Sequence, residues 1–319
     1  MTDHAQLGPD VRSFLDQLAA YGFPAWGDLD EQSGAAYLGA ARAAIGAAAS
    51  PGPDVAGVVS EDRVIGRDLP VRVYRRPGQA ADSPAAVYLH GGGWVLGGLD
   101  QNDGWCRWFV QSSGMAMVSV DYRLAPEHPF PVPLDDCYEA TRWVIEHAGE
   151  LGCDPARVAV LGSSAGANLA AAVAIRARDA GLGLACQALV YPVLDSSCST
   201  ASYLQYARGY FLERDQMLWY WAQYTPDEAS RSSPLAAPAL ASDLSRLPYT
   251  IVLTAECDPL RDEGQEYARR LAGAGVRVEY RCYRGQLHGF VVNRAAFEQA
   301  DVATAELVAL LRAGLDAPR

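Results

Sequence analysis

The sequence lacks the features by which membrane-spanning and nucleic-acid-binding proteins are usually recognised. None of the apolar runs among its 319 residues approaches the roughly 20 residues that a membrane span needs. Positive charge is scarce, because 26 Lys and Arg face 38 Asp and Glu and leave a formal net charge of −12. This balance argues against nucleic acid and anionic membranes as partners.

Cysteine is also sparse and carries no pairing pattern. The seven cysteines are an odd number and are scattered without a C-x-x-C pair. A disulfide framework or a zinc site needs paired spacings, so we expect reduced thiols in a cytoplasmic protein. The first residues, MTDHAQLGPD, show no basic segment followed by an apolar one, and we expect no secretory signal.

Apolar runs typical of buried strands alternate with helical patterns over most of the chain. Strands are predicted over residues 58–65, 69–75, 85–89, 115–120, 158–161, 184–191, 249–254 and 276–283, and helices over 133–149, 165–180, 259–274 and 295–313. The first two strands are predicted to form an antiparallel hairpin. The later strands alternate with helices, which predicts a mostly parallel, doubly wound α/β sheet.

Two segments do not fit this alternation. Residues 1–55 are rich in Ala and have apolar residues at helical spacing, so they should pack their apolar stripe across another surface. Residues 196–238 form an insertion in the 56–319 core that is too long for an ordinary connection. This insertion is dense in rings: Tyr203, Tyr206, Tyr210, Phe211, Trp219, Tyr220, Trp221 and Tyr224. It either packs a helix on the core or forms a lid over a binding site.

The stretch Arg157 to Ala171, RVAVLGSSAGANLAA, joins an apolar run to a helix-forming run through a sharp turn. This is the context of a G-x-S-x-G nucleophile elbow, with Ser164 at its centre. Gly162 and Gly166 provide the small neighbours that such a turn requires. The N–H of Ala165, at the start of the helix, would face an oxyanion. A plain Gly-Ser turn is the alternative, and the rest of the chain has to decide between the two.

A second glycine-rich stretch, HGGGW at residues 90–94, directly follows a predicted strand. Three successive glycines let the backbone approach a ligand closely and point its amides inward. Two of these amides, with that of Ala165, would form a three-donor oxyanion hole. Trp94 beside this loop, together with Phe211 and Trp219 of the insertion, is a candidate substrate-binding residue.

A candidate base follows the last predicted strand. His288, in QLHGF, is the one of five histidines in the right place for that role. Three carboxylates compete to be its partner: Glu256, Asp258 and Asp262. Asp258 precedes Pro259, which fixes its backbone in an extended conformation and so favours it over the other two. The chain order is then Ser, acid, His, as in α/β hydrolases.

These motifs together resemble the hormone-sensitive lipase-like family (family IV) of bacterial carboxylesterases, within the α/β-hydrolase superfamily. The matching pieces are HGGGW at 90–94, DYRLAPEHPFP at 121–131, GSSAGANLA at 162–170, DPLRDEG at 258–264 and HGF at 288–290. The resemblance implies an α/β-hydrolase fold with a helical cap formed by residues 1–55 and about 196–238. It also implies a catalytic triad of Ser164, Asp258 and His288, and an oxyanion hole made by the amides of Gly92, Gly93 and Ala165. Ser163 stands where the family often has Asp or Thr, which bears on the subgroup only.

The expected function is that of a serine carboxylesterase for short- to medium-chain acyl esters, which works through an acyl-enzyme on Ser164 and needs no metal or cofactor. Another acyl substrate, such as an amide, lactone or carbamate, would suit the same triad. A non-hydrolytic ligand-binding protein on the same scaffold, which the plant gibberellin receptors resemble, is the alternative from another class, and the complete triad disfavours it. The resemblance also allows a homodimer through the edge of the last strand.

Overall fold

The computed structural model describes residues 7–20, 31–48, 55 and 57–316. The predicted N-terminal helical segment enters it as two helices, α1 (Pro9–Ala20) and α2 (Glu31–Ala48). Residues 1–6, 21–30 and 49–54 of that segment lie outside the described residues.

A sheet of eight strands forms the centre of the molecule. The strands are β1 (Val59–Ile65), β2 (Leu69–Arg75), β3 (Ser83–Leu89), β4 (Ala116–Val120), β5 (Cys153–Ser163), β6 (Cys186–Val190), β7 (Tyr249–Cys257) and β8 (Val278–Leu287). Their order across the sheet is β1-β2-β4-β3-β5-β6-β7-β8. The β1–β2 and β2–β4 pairs are antiparallel, and the other pairs are parallel. The predicted hairpin and the mostly parallel sheet are confirmed.

Helices cover both faces of this sheet. Along the chain they are α3 (Leu99–Ser113), α4 (Val132–Glu146), α5 (Ala165–Asp179), α6 (Ala201–Gln205), α7 (Arg214–Tyr224), α8 (Glu228–Arg231), α9 (Arg261–Gly273) and α10 (Gln299–Leu315). Helices α4, α5 and α9 pack on one face, and α3 and α10 pack on the other. Strand side chains alternate between the two faces, so Val87 of β3 enters one apolar layer and its neighbour Tyr88 enters the other. The doubly wound arrangement follows from apolar residues on both faces.

Helix α3 was not predicted from the sequence, and its polar composition explains why. Asp103 and Arg107 lie inside the layer that α3 forms with the sheet, and both are buried. Arg107 Nε donates to Asp103 Oδ2 at 2.6 Å, and the Tyr74 hydroxyl donates to Asp103 Oδ1 at 2.9 Å. Because the buried charges are paired and hydrogen-bonded, this helix can pack on the sheet without a continuous apolar stripe.

The insertion between β6 and β7 contains α6, α7 and α8, and its helix α7 packs against α2. A Cβ atom placed on Gly34 of α2 would lie 2.7 Å from Nε1 of Trp219 on α7. Helix α2 is also tied to the loop after β3, because the Arg42 guanidinium donates to the carbonyl oxygen of Val95 at 2.9 Å. None of the described helices is long and apolar enough to cross a membrane.

Helix α1 meets the insertion at a cluster of three phenylalanine rings. The ring centroid of Phe14 lies 5.4 Å from that of Phe211 and 4.9 Å from that of Phe297. Phe211 has a φ of 74°, and its Cε1 would lie 3.5 Å from a Cβ atom placed on Gly289. The described parts of the N-terminal segment and of the insertion therefore lie next to the loops that follow β3 and β8.

Candidate active site

Five of the six loops that leave the carboxyl ends of the parallel strands carry the residues of the site. They begin at His90 after β3, Ser164 after β5, Tyr191 after β6, Asp258 after β7 and His288 after β8. The carboxyl edge of an open parallel sheet is where ligands bind in such folds. The sheet thus brings together residues that are up to 198 positions apart in the chain, as His90 and His288 are.

The turn at Ser164 is strained, as a nucleophile elbow requires. Ser164 has φ 56° and ψ −121°, a backbone conformation that non-glycine residues rarely adopt and that is kept mainly at functional sites. A Cβ atom on Gly162 would lie 2.1 Å from the carbonyl oxygen of Gly166, and one on Gly166 would lie 2.0 Å from that of Leu89. Both positions therefore accept only glycine. Helix α5 begins at Ala165, where backbone N–H groups have no acceptor within the helix.

A chain of hydrogen bonds links the three residues predicted to form the triad. The distance from His288 Nε2 to Ser164 Oγ is 2.8 Å, and that from His288 Nδ1 to Asp258 Oδ2 is also 2.8 Å. Asp258 is completely buried and His288 is 6% exposed. The backbone N–H of Leu260 donates to the other carboxylate oxygen of Asp258 at 2.9 Å. Both carboxylate oxygens are thus held, which orients the imidazole toward Ser164.

The two other candidate acids are engaged elsewhere. Glu256 Oε2 accepts a hydrogen bond from the backbone N–H of Gly285 at 2.7 Å. Asp262 accepts from the backbone N–H of Ser202 at 2.8 Å and from its neighbour Arg261 at 2.8 Å. The structure therefore places only Asp258 of these three carboxylates against His288.

The glycine loop after β3 lies directly against the elbow. A Cβ atom on Gly91 would lie 3.1 Å from the carbonyl oxygen of Ser163 and 3.3 Å from Cβ of Ser164. Gly92 and Gly93 follow with φ values of 122° and 60°. A residue with a side chain would be strained at either position. The glycine loop is thus held at Gly91 against Ser163 and Ser164, directly before the residue, Ala165, at which α5 begins.

His90 at the base of this loop is a buried, neutral support. Its ring stacks on that of Tyr122 with 4.2 Å between centroids, and the Tyr122 hydroxyl donates to the His90 carbonyl oxygen at 2.8 Å. Burial lowers the pKa of His90 to about 4, and the hydrogen bond to the backbone of Gly91 partly opposes this shift. Gly97 closes over the ring so tightly that a Cβ atom there would lie 2.2 Å from His90 Nδ1.

The three predicted substrate-binding residues lie in different surroundings. Phe211 is 44% exposed beside Gly289, next to His288. Trp219 is partly buried between α7 and α2. Trp94 is completely buried and stacks on Tyr224, with ring centroids 4.3 Å apart. The structure thus places Trp94 in the wall behind the glycine loop, away from solvent.

Two residues that sequence reasoning missed also support the site. Asn168, one turn of α5 after Ser164, donates to the carbonyl oxygens of Val193 at 3.0 Å and Ala236 at 2.7 Å. It thereby ties both ends of the insertion to the elbow helix. Tyr191 has a φ of 38°, and its ring centroid lies 4.6 Å from that of His288. The sequence signal for Asn168 was a polar residue inside an otherwise Ala-rich helix. No pattern in the sequence marks Tyr191 as a neighbour of His288.

The strand order, the elbow after β5, the acid after β7 and the histidine after β8 define the class of α/β hydrolases with a serine elbow. Among the described residues, no group of three or more His, Cys, Asp or Glu side chains is placed to hold a metal ion.

Comparisons with known proteins agree with this class. The family model described as "alpha/beta hydrolase fold" matches residues 86–292. A carboxylesterase, NlhH, of Mycobacterium tuberculosis is 43% identical over 265 residues, which cover 81% of this chain and 83% of the relative. An ethyl acetate hydrolase of Pseudomonas putida is 41% identical over 240 residues, which cover 74% of this chain and 76% of the relative. A thermostable esterase from Pseudomonas putida has a similar solved structure, with a TM-score of 0.90, 36% identity, and coverage of 98% of this chain and 99% of that one.

The chain therefore belongs to the hormone-sensitive lipase-like family, family IV, of the α/β hydrolases. The predictions of this family, of the α/β-hydrolase fold and of an enzyme of the carboxylic ester hydrolase class are confirmed.

The lowered pKa of His90 predicts an acid-labile contribution to stability. In the unfolded chain the His90 imidazole takes up a proton near its ordinary pKa of 6.5, whereas in the folded chain its pKa is about 4. The contribution of His90 to the free energy of unfolding is thus fully present above pH 6.5. It falls by about 3 kcal/mol as the pH is lowered toward 4. Urea unfolding of the wild type and of His90→Gln at pH 7 and pH 4.5 measures this contribution. The variant should be less stable at pH 7 but lose less stability on acidification, and equal losses would contradict the prediction.

Proposed function

We propose that this protein is a serine carboxylesterase that hydrolyses short- to medium-chain acyl esters through an acyl-enzyme on Ser164. The observation that carries the proposal is the continuous hydrogen-bonded path from Ser164 Oγ through His288 to the buried Asp258. Relatives of both Mycobacterium and Pseudomonas named for ester hydrolysis support the reaction class.

The geometry supports a double displacement. His288 Nε2 lies within hydrogen-bond reach of Ser164 Oγ and takes its proton as the oxygen attacks the ester carbonyl carbon. Asp258 holds the proton on Nδ1 and stabilises the imidazolium cation. The imidazolium then protonates the departing alcohol. Water enters, gives its proton to His288 and attacks the acyl-enzyme, which releases the acid and restores Ser164.

The negative charge that forms on the carbonyl oxygen needs fixed donors. The backbone amides of Gly92, Gly93 and Ala165 are the donors in our proposal, because the glycine loop lies against the elbow and Ala165 begins α5. Donors that are already oriented stabilise the oxyanion without reorganisation at the moment of reaction.

The cap in this proposal consists of the helices of residues 1–55 and the insertion at about 196–238. Phe211 beside Gly289 and Trp219 between α7 and α2 would bound the acyl or alcohol site. Rings in these places occupy volume that a long acyl chain would need, which is why we infer a preference for short chains.

Turnover of p-nitrophenyl esters from acetyl to palmitoyl tests the reaction and the chain-length limit together. We expect kcat/KM to be highest between acetyl and hexanoyl and to fall for longer chains.

Ser164→Ala should lower kcat by about 10⁴-fold or more, without changing the circular dichroism spectrum. Phe211→Ala should shift the preference toward longer chains. Retention of a tenth of the activity by Ser164→Ala would overturn the mechanism, and kcat/KM rising steadily to palmitoyl would overturn the chain-length limit.

The identity of the acid is tested by three matched substitutions that each remove one negative charge. Asp258→Asn should lower kcat by about 10⁴-fold, because the amide holds the wrong imidazole tautomer. Glu256→Gln and Asp262→Asn should each cost less than tenfold, since these carboxylates bind Gly285 and Ser202 instead. If Glu256→Gln is the most damaging of the three, the acid is Glu256.

We also propose a cytoplasmic location and a homodimer that pairs through β8. The seven unpaired cysteines suit a reducing compartment.

The dimer is proposed from the outer side of β8. Strand β8 hydrogen-bonds to β7 on one side and ends the strand order on the other, and such an edge presents backbone groups that can pair with a second chain. Sedimentation velocity at micromolar concentration should show a species of twice the chain mass, and a monomer alone would contradict the dimer.

A further inference from the structure

The glycine loop holds an unusual run of backbone conformations. Gly92, Gly93 and Trp94 have φ values of 122°, 60° and 63° in succession. Glycine accepts such angles without strain, but a residue with a side chain, such as Trp94, is strained by them. Strain of this kind persists only where the surrounding structure fixes it. Side chains that pack on Gly93 and Trp94 should therefore hold this backbone conformation in place.

Helix α7 of the insertion supplies that support at Trp94. The Trp94 ring lies parallel to that of Tyr224, with an interplanar angle of 6°, and its centroid lies 4.8 Å from that of Trp221. All three rings are almost completely buried. The backbone N–H of Phe130 donates to the Tyr224 carbonyl oxygen at 2.8 Å, which fixes the end of α7 against the core.

A third aromatic residue of α7 lies directly on Gly93. A Cβ atom placed on Gly93 would lie 2.6 to 2.7 Å from Cγ, Cδ1 and Cδ2 of Tyr220. The ring is 6% exposed, and its hydroxyl accepts a hydrogen bond from Gln216 Nε2 at 2.9 Å. The ring is thus held at its far end by its own helix, and its near end bounds the space into which Gly93 could move.

We propose that Tyr220 is a positioning residue for the oxyanion hole, which fixes the peptide of Gly93 by direct packing of its ring on the Gly93 Cα. The proposal rests on the proposed function, because it takes the Gly93 amide as an oxyanion donor. It gives α7 a role in the chemical step, beyond covering the substrate. Tyr220 acts through Gly93 and does not touch the reacting atoms.

The first test compares Tyr220→Ala with Tyr220→Phe. Removal of one oxyanion donor costs about 10²- to 10³-fold in kcat, so a misplaced donor should cost about 10- to 100-fold. We expect this loss in kcat for Tyr220→Ala, with KM within threefold of the wild type. A trifluoromethyl ketone, which forms an oxyanion adduct with the serine, should bind more weakly by the same factor. Tyr220→Phe keeps the ring and should retain kcat within threefold.

Leu218→Ala is the matched control, because Leu218 is an exposed residue of the same helix. It should leave kcat, KM and inhibitor affinity unchanged. If Tyr220→Ala does not fold, Tyr220→Leu is measured in its place with the same expectations. A kcat within twofold of the wild type for the truncated variant, or an equal loss in kcat for Tyr220→Phe, would overturn the proposal.

The second test exploits the close contact directly. Gly93→Ala introduces a methyl group into the Tyr220 ring and should lower kcat strongly. The double variant Gly93→Ala/Tyr220→Ala removes the collision, and its kcat should exceed that of Gly93→Ala alone. Losses that simply multiply would show that the two residues are independent and would overturn the proposal. An inactive wild type would instead refute the proposed function, so the two failures are distinguishable.

Discussion

The active site depends on a backbone approach that is closer than any side chain allows. The elbow turn and the loop after β3 meet where a Cβ atom on Gly166 would lie 2.0 Å from the carbonyl oxygen of Leu89. Gly162 is confined in the same way, since a Cβ atom there would lie 2.1 Å from the carbonyl oxygen of Gly166, and Gly91 is confined less tightly, at 3.1 Å from the carbonyl oxygen of Ser163. These glycines let the loop after β3 and the start of α5, which carry the proposed oxyanion donors, approach each other closely. A methyl group on Gly162 or Gly166 would force the backbone of the elbow and of β3 apart.

The parallel sheet supplies the remaining geometry. Strands β7 and β8 are neighbours in parallel register, so the first residue after β7 and the first after β8 emerge side by side. That adjacency brings Asp258 to His288 across 30 positions of the chain. Burial of the carboxylate is tolerable because its two oxygens accept hydrogen bonds from Leu260 and His288. The sheet therefore sets the relative positions of Asp258 and His288, and the loops after β7 and β8 contribute the two side chains.

The sequence predicted those parts of the fold and site that local chemistry encodes. The elbow at Ser164 and the glycine loop are specified by glycines within a few residues, and Asp258 is distinguished from its rivals by the proline that follows it. Helix α3 escaped prediction because its buried polar residues, Asp103 and Arg107, are neutralised by partners that only the fold reveals. Trp94 was predicted to face substrate from its position beside the loop, but its burial against Tyr224 depends on a helix 120 residues further along. Packing of one distant segment on another, such as that of Trp94 on Tyr224, has no local motif in a single sequence.

Helices α2 and α7 are consequently coupled to the reaction centre by direct contacts. Helix α2 holds the loop after β3 through the Arg42 hydrogen bond to Val95, and it holds α7 through Gly34 and Trp219. Helix α7 in turn packs on Gly93. Packed interiors transmit small displacements, so a change in α2 or α7 reaches the glycine loop that carries the proposed oxyanion donors. Variation in these helices should therefore alter the rate of the chemical step as well as the choice of substrate. The contact of α7 with Gly93 is the physical link between the two effects.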